Sequence, residues 1–501
     1  MTSDAITPTV GRLLRTAAAE HPDREAFVQT GDRITYAELD RAAEGFAATL
    51  AGLGVGKGDR VCLVMGSSIA FATCYHGALK AGAITAAVNV RLGATEQRSI
   101  FERTEPVVTV VGTGVALPEG VAAGTIVAET DLPAAFAAEP SADLPDVVAT
   151  DPACIVWTSG TTGVPKGAVY DHEAMAVISR NIGELTHDGD RRLFVLPFPH
   201  VGYMTRVWDE VAHGTTIVLP GEPWSAEKTL RLVRDEGITM ATGVPTQWAL
   251  VLAHPDLERT DFSNLRVAAT GAASIAPELV HRMRKVLGCP VITRYTSTEA
   301  GVTTSTLAED SDEVIATTVG RPTPDVELRI VDVESAAELG PEEVGEIWSR
   351  SPGMMRGYWR DLERTAEVVD ADGWLHTGDL GVVGHDGNLR IVGRLKEMYI
   401  RGGYNIYPVE VEAALAEHPA VDRVAVVGGP DPVLGEIGYA YVVPVAGTEP
   451  TLEALRAWCK DRIADYKAPD RLELLDELPL TSMLKIDKRA LTARASNMEV
   501  R

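Results

Sequence analysis

Helical and strand patterns alternate along most of this 501-residue chain, and that alternation constrains the fold more than any other feature. Residues 10–20 and 36–53 space their apolar side chains as amphipathic helices do, whereas residues 33–36 and 59–65 have the pattern of short strands. Strands separated by helices pair in parallel, because each crossover helix returns the chain to the same end of the sheet. The sequence therefore predicts an α/β fold with helix-flanked sheets.

The pattern changes near residue 395. Residues 327–392 contain several short strand segments and turn signals such as Asp372-Gly373, which favour a small barrel or an antiparallel sheet. The rest of the chain has its own alternation, with helices after Tyr407-Pro408 and Thr451 and strands over 423–427 and 438–443. We predict a boundary at residues 395–397, which separates a large domain (1–395) from a small one (396–501).

The charge balance excludes one class of partner. Asp and Glu number 71 against 46 Lys and Arg, which gives a net charge of −25 with His neutral. Such an excess of negative charge repels nucleic-acid backbones and anionic membrane surfaces. We therefore expect no nucleic-acid partner, and an anionic substrate requires a local group of positive side chains.

Cysteine spacing and the N-terminal sequence favour a reducing compartment. The five cysteines are an odd number, and the nearest two are Cys62 and Cys74, so neither a disulfide framework nor a zinc site is indicated. The first residues lack the basic and apolar regions of a signal peptide, and the most apolar stretch, 67–90, is interrupted by His76 and Lys80. We expect a cytoplasmic protein without membrane insertion.

The strongest local signal is Thr158-Ser159-Gly160-Thr161-Thr162-Gly163-Val164-Pro165-Lys166-Gly167. The hydroxyls, backbone N–H groups and lysine of such a loop can surround phosphate oxygens. The loop follows an apolar run, 154–157, which has the pattern of a buried strand. The spacing of a Walker A loop is absent, so the segment predicts a phosphate-binding loop of another type.

Six further segments follow in order along the chain. They are residues 196–200 (LPFPH), 271–274 (GAAS), 294–299 (RYTSTE), 374–379 (WLHTGD), 393–397 with 401–410 (GRLKE and RGGYNIYPVE), and 479–491 around Lys485-Ile486. Together with the phosphate loop they resemble the motifs of the acyl-adenylate-forming superfamily, and the chain is most similar to its acyl-CoA synthetase branch. The resemblance implies a large N-terminal domain of two helix-flanked sheets plus a small distorted β-barrel, and a small mobile α+β C-terminal domain.

The resemblance also implies a reaction. A carboxylic acid attacks the α-phosphate of ATP to give acyl-AMP and pyrophosphate, and CoA then displaces AMP. Because the first step brings two anions together, the site must supply cations, and the resemblance gives this task to Lys485. It makes Lys396 the hinge between the domains and places His200 at the gate of the acyl pocket. Nucleotide binding is assigned to Thr158, Ser159, Gly160, Thr161, Thr162, Gly163, Lys166, Gly271, Ala272, Ala273, Arg294, Tyr295, Thr296, Ser297, Thr298, Asp379 and Arg394.

The remaining assignments concern Mg²⁺, CoA and the acyl group. The resemblance implies that Glu299 holds Mg²⁺, with Thr158 as a hydroxyl ligand. It assigns CoA binding to Arg401, Gly402, Gly403 and Tyr404. It places His200, Val201, Tyr203, Trp208, Trp248, Ala273 and Thr296 at the acyl pocket. These side chains are largely apolar or aromatic, which favours a hydrophobic or aryl carboxylic acid.

The sequence departs from the family pattern at two positions that matter for adenylation. Leu484 stands where glycine usually precedes the lysine, and Thr296 stands where glycine is usual. A displaced Lys485 would weaken adenylation, because an error of about 1 Å costs ~10²-fold in rate. Three alternatives therefore stay open: a ligase that only thioesterifies a supplied acyl-AMP, an adenylation enzyme that loads a carrier protein, and a non-catalytic acyl- or nucleotide-binding relative. A homodimer, a partner adenylating enzyme and a carrier protein also stay open as partners.

Overall fold

The computed structural model describes residues 7–141, 144–158, 164–221, 223–271, 275, 277–481 and 486–498. Two compact units divide the chain. The first unit comprises Met1–Leu328 and Ser349–Leu375, and the second comprises Arg329–Trp348 and His376–Arg501. The boundary predicted at residues 395–397 falls inside the second unit and stays a prediction.

Helices occur in both units. They are α1 (Val10–Glu20), α2 (Tyr36–Gly52), α3 (Ile69–Lys80), α4 (Ala94–Thr104), α5 (Leu132–Phe136), α6 (His172–Ile182), α7 (Val201–Met204), α8 (Val207–Ala212), α9 (Ala226–Glu236), α10 (Pro245–Ala253), α11 (Pro277–Leu287), α12 (Asp312–Thr317), α13 (Leu362–Ala366), α14 (Pro408–Ala416), α15 (Leu452–Lys460) and α16 (Lys488–Met498). None of the helices within the described ranges is long and apolar enough to cross a bilayer.

Strands alternate with these helices in the first unit and are grouped more closely in the second. They are β1 (Glu25–Gln29), β2 (Asp32–Thr35), β3 (Arg60–Val64), β4 (Ile84–Ala87), β5 (Val108–Val111), β6 (Thr125–Ala128), β7 (Pro152–Thr158), β8 (Lys166–Asp171), β9 (Arg191–Leu193), β10 (Thr216–Leu219), β11 (Met240–Gly243), β12 (Val267–Gly271), β13 (Val291–Ser297), β14 (Gly301–Ser305), β15 (Arg321–Pro322), β16 (Glu327–Val331), β17 (Gly345–Arg350), β18 (Leu375–Val383), β19 (Leu389–Arg394), β20 (Tyr399–Arg401), β21 (Tyr404–Ile406), β22 (Val421–Asp431), β23 (Gly435–Pro444) and β24 (Arg471–Leu474).

The first unit contains two largely parallel sheets. The strand orders are β15-β14-β13-β12-β11-β9-β10-β1-β2 and β6-β5-β3-β4-β7-β8. Pairing is parallel from β1 through β13 in the first sheet and from β6 through β7 in the second, and the outer pairs β13–β14 and β7–β8 are antiparallel. Both sheets and their helices enclose apolar cores whose central side chains, such as Phe71 and Val291, have no exposed surface.

Local signals explain several helix boundaries. Thr9 accepts a hydrogen bond from the N–H of Arg12 and begins α1, and Thr35 with Glu38 forms a capping box at the start of α2. Pro408 occupies the first turn of α14, where its missing N–H costs nothing. The predicted helices over 10–20 and after Tyr407-Pro408 are therefore confirmed.

The second unit contains two smaller sheets. One has the strand order β16-β17-β18-β19, and the other has the order β21-β20-β23-β22 with β24 paired in parallel to β23. Helices α14 and α16 pack on β22. The predicted fold class is confirmed: the protein is α/β, with a large N-terminal domain and a smaller C-terminal one. The mobility of the smaller domain stays a prediction.

Candidate active site

The segments predicted to bind nucleotide and acyl group follow parallel strands of one sheet. β9, β11, β12 and β13 are parallel, so their carboxyl ends meet at the same edge. Residues 196–200 follow β9, Gly271 ends β12, and residues 297–299 lie at the end of β13. This edge is where open α/β sheets bind their ligands.

A hairpin of the second sheet carries the phosphate loop. Thr158 at the end of β7 lies directly opposite Lys166 at the start of β8, and the Thr158 hydroxyl donates to the Lys166 carbonyl at 3.4 Å. The pattern of residues 154–157 is confirmed as a buried strand. Ser159, Gly160, Thr161, Thr162 and Gly163 lie outside the described residues, so their roles stay predictions.

Glu299 and Lys166 are joined through a tyrosine that the sequence does not single out. The Tyr358 hydroxyl donates to Oε1 of Glu299 at 2.9 Å, and the Lys166 ammonium lies 5.0 Å from the centroid of the same ring. The Glu299 carbonyl accepts from the N–H of Met355 at 2.9 Å. Burial and the neighbouring Glu299 charge raise the pKa of Tyr358, so its hydroxyl remains a donor.

The donor set at Glu299 suits Mg²⁺ bound together with a nucleotide. Mg²⁺ is usually held by one or two carboxylates plus substrate phosphates, rather than by a cage of protein ligands. In the described part of the chain, no three His, Cys, Asp or Glu side chains are grouped so that they could hold a metal. Among the described residues, the Tyr358 hydroxyl is the only group bonded to the Glu299 carboxylate, which leaves Oε2 for a cation.

The predicted nucleotide residues of β12 and β13 are neighbours, but the Arg294 side chain is buried. Gly271 and Arg294 are register partners, and the Arg294 guanidinium donates to the Asn181 carbonyl at 2.9 Å. Burial, together with the nearby Arg206 charge, lowers the pKa of Arg294 to about 9. Tyr295 is buried as well. The nucleotide roles of these residues stay predictions.

The strand β13 changes register near its end. A shift between Tyr295 and Thr296 leaves Thr296 exposed. Ser297 and Thr298 shape the turn that carries Glu299, because the Ser297 hydroxyl accepts from the N–H of Ala300 and the Thr298 carbonyl accepts from the Tyr170 hydroxyl at 2.7 Å. Ala272 and Ala273 lie outside the described residues.

The residues predicted at the acyl pocket begin at α7. His200 is the N-cap of this helix, and its Nδ1 accepts from the N–H of Gly202 at 3.0 Å, so a neutral ring carries its proton on Nε2. Val201 is buried beside it. Tyr203 is fully buried and stacks on Phe198 at a ring distance of 3.6 Å. His200 is therefore held in one orientation, while Tyr203 belongs to an aromatic core.

Two predicted pocket tryptophans have fixed indole N–H groups. Trp248 on α10 is buried and donates to the Ala269 carbonyl of β12 at 3.2 Å. Trp208 on α8 donates to the Pro8 carbonyl at 3.0 Å. Because these polar atoms are satisfied within the protein, what the two side chains can offer a ligand is apolar ring surface.

Asp379 and Arg394, both predicted to contact nucleotide, are brought together in the second unit. They are opposite residues of the antiparallel pair β18–β19, and Nε of Arg394 lies 2.9 Å from Oδ1 of Asp379. The Asp379 side chain is 7% exposed and that of Arg394 is 59% exposed. A buried carboxylate beside an exposed guanidinium can accept hydrogen bonds from a diol, and the guanidinium can pair with a phosphate.

The predicted hinge lies in a turn whose two sides are held by different elements. Lys396 is exposed, and before it the N–H of Leu395 donates to the Gly378 carbonyl at 2.9 Å. After it, Lys488 Nζ lies 3.1 Å from Glu397 and 2.9 Å from Glu412. Burial opposes the charge of Lys488, but Glu412 and Glu397 raise its pKa. Lys485 and Leu484 lie outside the described residues.

The residues predicted to bind CoA form the hairpin β20–β21. Gly402 and Gly403 connect the strands with φ values of 57° and 90°, as both central residues of a type I′ turn require. Arg401 is bonded to Asp470 through Nε at 2.9 Å and a terminal nitrogen at 2.8 Å, and this contact raises the pKa of Arg401. Tyr404 is 56% exposed and stacks on Tyr466.

Family models match both parts of this chain. Residues 14–359 match the AMP-binding enzyme family, and residues 410–485 match the AMP-binding enzyme C-terminal domain. The chain belongs to the AMP-binding enzyme family. Within the acyl-adenylate-forming superfamily it falls in the acyl-CoA synthetase branch, and it is a ligase.

Curated relatives and solved structures agree with this family assignment. The chain is 35% identical to a "3-[(3aS,4S,7aS)-7a-methyl-1,5-dioxo-octahydro-1H-inden-4-yl]propanoyl:CoA ligase" of Rhodococcus jostii, over 96% of this chain and 98% of the relative. It is 36% identical to the enzyme of the same name from Mycobacterium tuberculosis, over 96% and 97%. The structure of ATP-bound MatB from Rhodopseudomonas palustris superimposes with a TM-score of 0.89 and 27% identity, over 98% of this chain and 100% of that one.

The structure adds residues that sequence reasoning missed. Tyr358 and Tyr170 hold the Glu299 turn from positions 59 and 129 residues away. Lys488 holds Glu397 behind the hinge. No local pattern pairs such distant residues, and the Gly357-Tyr358-Trp359 segment has no strand or helix periodicity that would have drawn attention to it.

Proposed function

We propose that this AMP-binding enzyme is an acyl-CoA ligase that activates a hydrophobic or aryl carboxylic acid as acyl-AMP and transfers the acyl group to CoA. The observation that carries the proposal is the arrangement of Glu299, Tyr358 and Lys166 beside the phosphate loop. A carboxylate suited to Mg²⁺ and an ammonium that contacts the same tyrosine are the charges that phosphoryl chemistry on ATP requires.

Different residues of the chain have different roles in adenylation. Lys166 supplies positive charge at the end of the phosphate loop, and Glu299 places a carboxylate where Mg²⁺, when bound, would neutralise phosphate oxygens. Asp379, oriented by Arg394, accepts hydrogen bonds from the ribose hydroxyls. Lys485 neutralises the charge that builds up as the carboxylate attacks the α-phosphate.

Two observations support an apolar acid. The indole N–H groups of Trp248 and Trp208 are satisfied by backbone carbonyls, which leaves ring surface for a ligand. The acyl group in the names of the Rhodococcus and Mycobacterium relatives is a propanoyl chain on a fused carbocycle. An acid with a bulky apolar body fits both, because apolar pockets orient such ligands with few polar contacts.

CoA transfer uses the β20–β21 hairpin of the second unit. Gly403 has no Cβ, and a Cβ built at this position meets nothing within 4 Å, so the backbone there lies open to a thin thiol arm. Arg401, fixed on Asp470, holds the base of the hairpin rather than offering a free charge. The two half-reactions then require different placements of the predicted small domain (396–501), with Lys396 as the pivot.

The experiment separates the two half-reactions. Lys485→Ala should abolish acyl-AMP formation from acid and ATP, and thioester formation from synthetic acyl-AMP and CoA should survive, because a thiolate attacking a mixed anhydride does not need that cation. Lys460→Ala, at an exposed lysine of α15, is the matched control and should leave both rates unchanged. Equal loss of both half-reactions in Lys485→Ala would contradict the assignment. A wild type active only on supplied acyl-AMP would favour the thioesterifying alternative.

A further inference from the structure

The segment before α13 runs beside the strand that follows the phosphate loop, although nearly 190 residues separate them. The N–H of Val169 donates to the Gly357 carbonyl at 3.0 Å, and the N–H of Trp359 donates to the Gly167 carbonyl at 2.7 Å. These bonds bracket Tyr358, which bridges to Ala168 of β8. Tyr358 is therefore placed against β8 by backbone pairing, and its position does not depend on its own side chain.

Two further contacts fix the backbone of Tyr358. Its N–H donates to the Thr365 hydroxyl at 2.9 Å. Gly357 before it has φ of 129°, which strains any other residue, and a Cβ there would crowd Cγ2 of Thr365 at 3.1 Å. The side chain is 6% exposed. A tyrosine held this firmly can orient whatever its hydroxyl and ring contact.

The hydroxyl and the ring contact two different members of the predicted ATP site. The hydroxyl donates to Oε1 of Glu299, whose carbonyl is held separately by Met355, so the Glu299 side chain is fixed from both ends. The ring face receives the Lys166 ammonium at 5.0 Å. No carboxylate of the described residues lies within ion-pairing distance of Lys166, so the ring is its fixed partner there.

We propose that Tyr358 is a positioning residue that fixes the Glu299 carboxylate and the Lys166 ammonium relative to one another. This inference rests on the proposed function. The hydroxyl bond to Oε1 would leave Oε2 of Glu299 to a bound Mg²⁺ ion, and the ring holds the Lys166 ammonium at the start of β8. The Tyr358 side chain thus links the carboxylate proposed to hold the metal to the lysine proposed to bind phosphate.

Two substitutions separate the hydroxyl from the ring. Tyr358→Phe removes only the bond to Glu299, and Tyr358→Leu removes the ring face as well. Tyr36→Phe is the matched control, because Tyr36 is also buried and its hydroxyl donates to the Thr215 carbonyl at 2.7 Å. It lies outside the proposed machinery.

The first measurement is Mn²⁺ binding, followed by electron paramagnetic resonance in the presence of a non-hydrolysable ATP analogue. Tyr358→Phe should weaken Mn²⁺ binding by about ten- to a hundredfold, the range for losing the partner that orients a metal ligand. Tyr36→Phe should bind Mn²⁺ as the wild type does. Thioester formation from supplied acyl-AMP should be unchanged in Tyr358→Phe.

The second measurement needs no metal. Binding of the ATP analogue in EDTA should be weaker for Tyr358→Leu than for Tyr358→Phe by about two- to fivefold, the lower range for the loss of one cation–π contact. Unchanged Mn²⁺ affinity in Tyr358→Phe, with a loss of thermal stability equal to that of Tyr36→Phe, would overturn the proposal. A wild type that binds Mn²⁺ in this Tyr358-dependent way but forms no acyl-AMP would support Tyr358 and contradict the proposed function.

Discussion

Replacing Gly167 by alanine tests whether the β7–β8 hairpin sets the phosphate loop. Gly167 pairs with Trp157, and a Cβ built on it stands 2.5 Å from Cγ2 of Ile155 and 3.1 Å from two ring carbons of Trp157. Non-bonded carbon atoms at their optimal separation lie about 3.5–4.0 Å apart, so the contact with Cγ2 of Ile155 is too short by at least ~1 Å. Ile155 has no exposed surface and cannot move aside.

The expected cost follows from that overlap. Forcing an extra carbon into a packed core costs about 1–3 kcal/mol. For a unit of this size that corresponds to a fall of about 1–4 °C in the unfolding midpoint. The strands separate or shift to relieve the contact, and Thr158 and Lys166 at their ends move with them. A displacement of about 1 Å there lowers adenylation by ~10²-fold.

Calorimetric unfolding measures the first effect, and the rate of acyl-AMP formation measures the second. An ATP titration shows in addition whether the displaced loop residues still bind the nucleotide. Gly52→Ala is the matched control: Gly52 ends α2, has no positive φ, and its Cβ meets nothing within 4 Å. It should be neutral or slightly stabilising. Adding Ile155→Ala to Gly167→Ala should restore part of the ATP affinity, since it removes the atom that the new Cβ strikes. A Gly167→Ala enzyme as stable and as tight for ATP as Gly52→Ala would refute the reasoning.

Three other predictions follow from contacts in the two units. Asp379→Ala should weaken AMP binding in isothermal titration by about 1.5–3 kcal/mol for each charged hydrogen bond lost. Burial lowers the pKa of His76 to about 3 from 6.5. The neutral ring therefore contributes its full share of the free energy of unfolding above pH 6.5, and this share is lost as the pH falls toward 3. His76→Leu should therefore flatten the acid side of a plot of urea midpoint against pH. Lys396→Pro should impair thioester formation more than adenylation, because proline fixes φ near about −65° at the proposed pivot.

Each of these has a contrary result. Unaltered AMP affinity in Asp379→Ala would remove that residue from the ribose site. If the urea midpoint of His76→Leu falls with decreasing pH as steeply as that of the wild type, groups other than His76 cause the loss of stability in acid. Matched rates of the two half-reactions in Lys396→Pro, whether high or low, would exclude Lys396 as the pivot.

The fold could be predicted wherever local pattern and local capping agree. Helix α1 has the predicted bounds because Thr9 caps an amphipathic segment. The strands predicted over 423–427 and 438–443 are longer in the structure, and for the first of them glycines explain the difference. Gly428 and Gly429 weaken a strand pattern, yet a Cβ at either would lie within 2.5 Å of the Tyr399 or Tyr439 side chain. The strand is completed by close packing that sequence periodicity does not show.

The site could be predicted segment by segment but not contact by contact. Asp379 and Arg394 come from separate motifs, and the strand pair β18–β19 places them together. The partners of Arg294 and Arg401 are the Asn181 carbonyl and the Asp470 carboxylate, 113 and 69 residues away. Only tertiary packing decides whether such an arginine can reach a ligand or is bonded to another group of the protein.

The fate of the oxygen atoms of the acid tests the central claim most directly. The enzyme would be incubated with an apolar carboxylic acid labelled with ¹⁸O in its carboxyl group, ATP, Mg²⁺ and CoA, and the products would be examined by mass spectrometry. Attack of the carboxylate on the α-phosphate transfers one labelled oxygen to AMP, and pyrophosphate stays unlabelled. The proposal predicts that result. Thioester formed with unlabelled AMP, or with the label in inorganic phosphate, would contradict it.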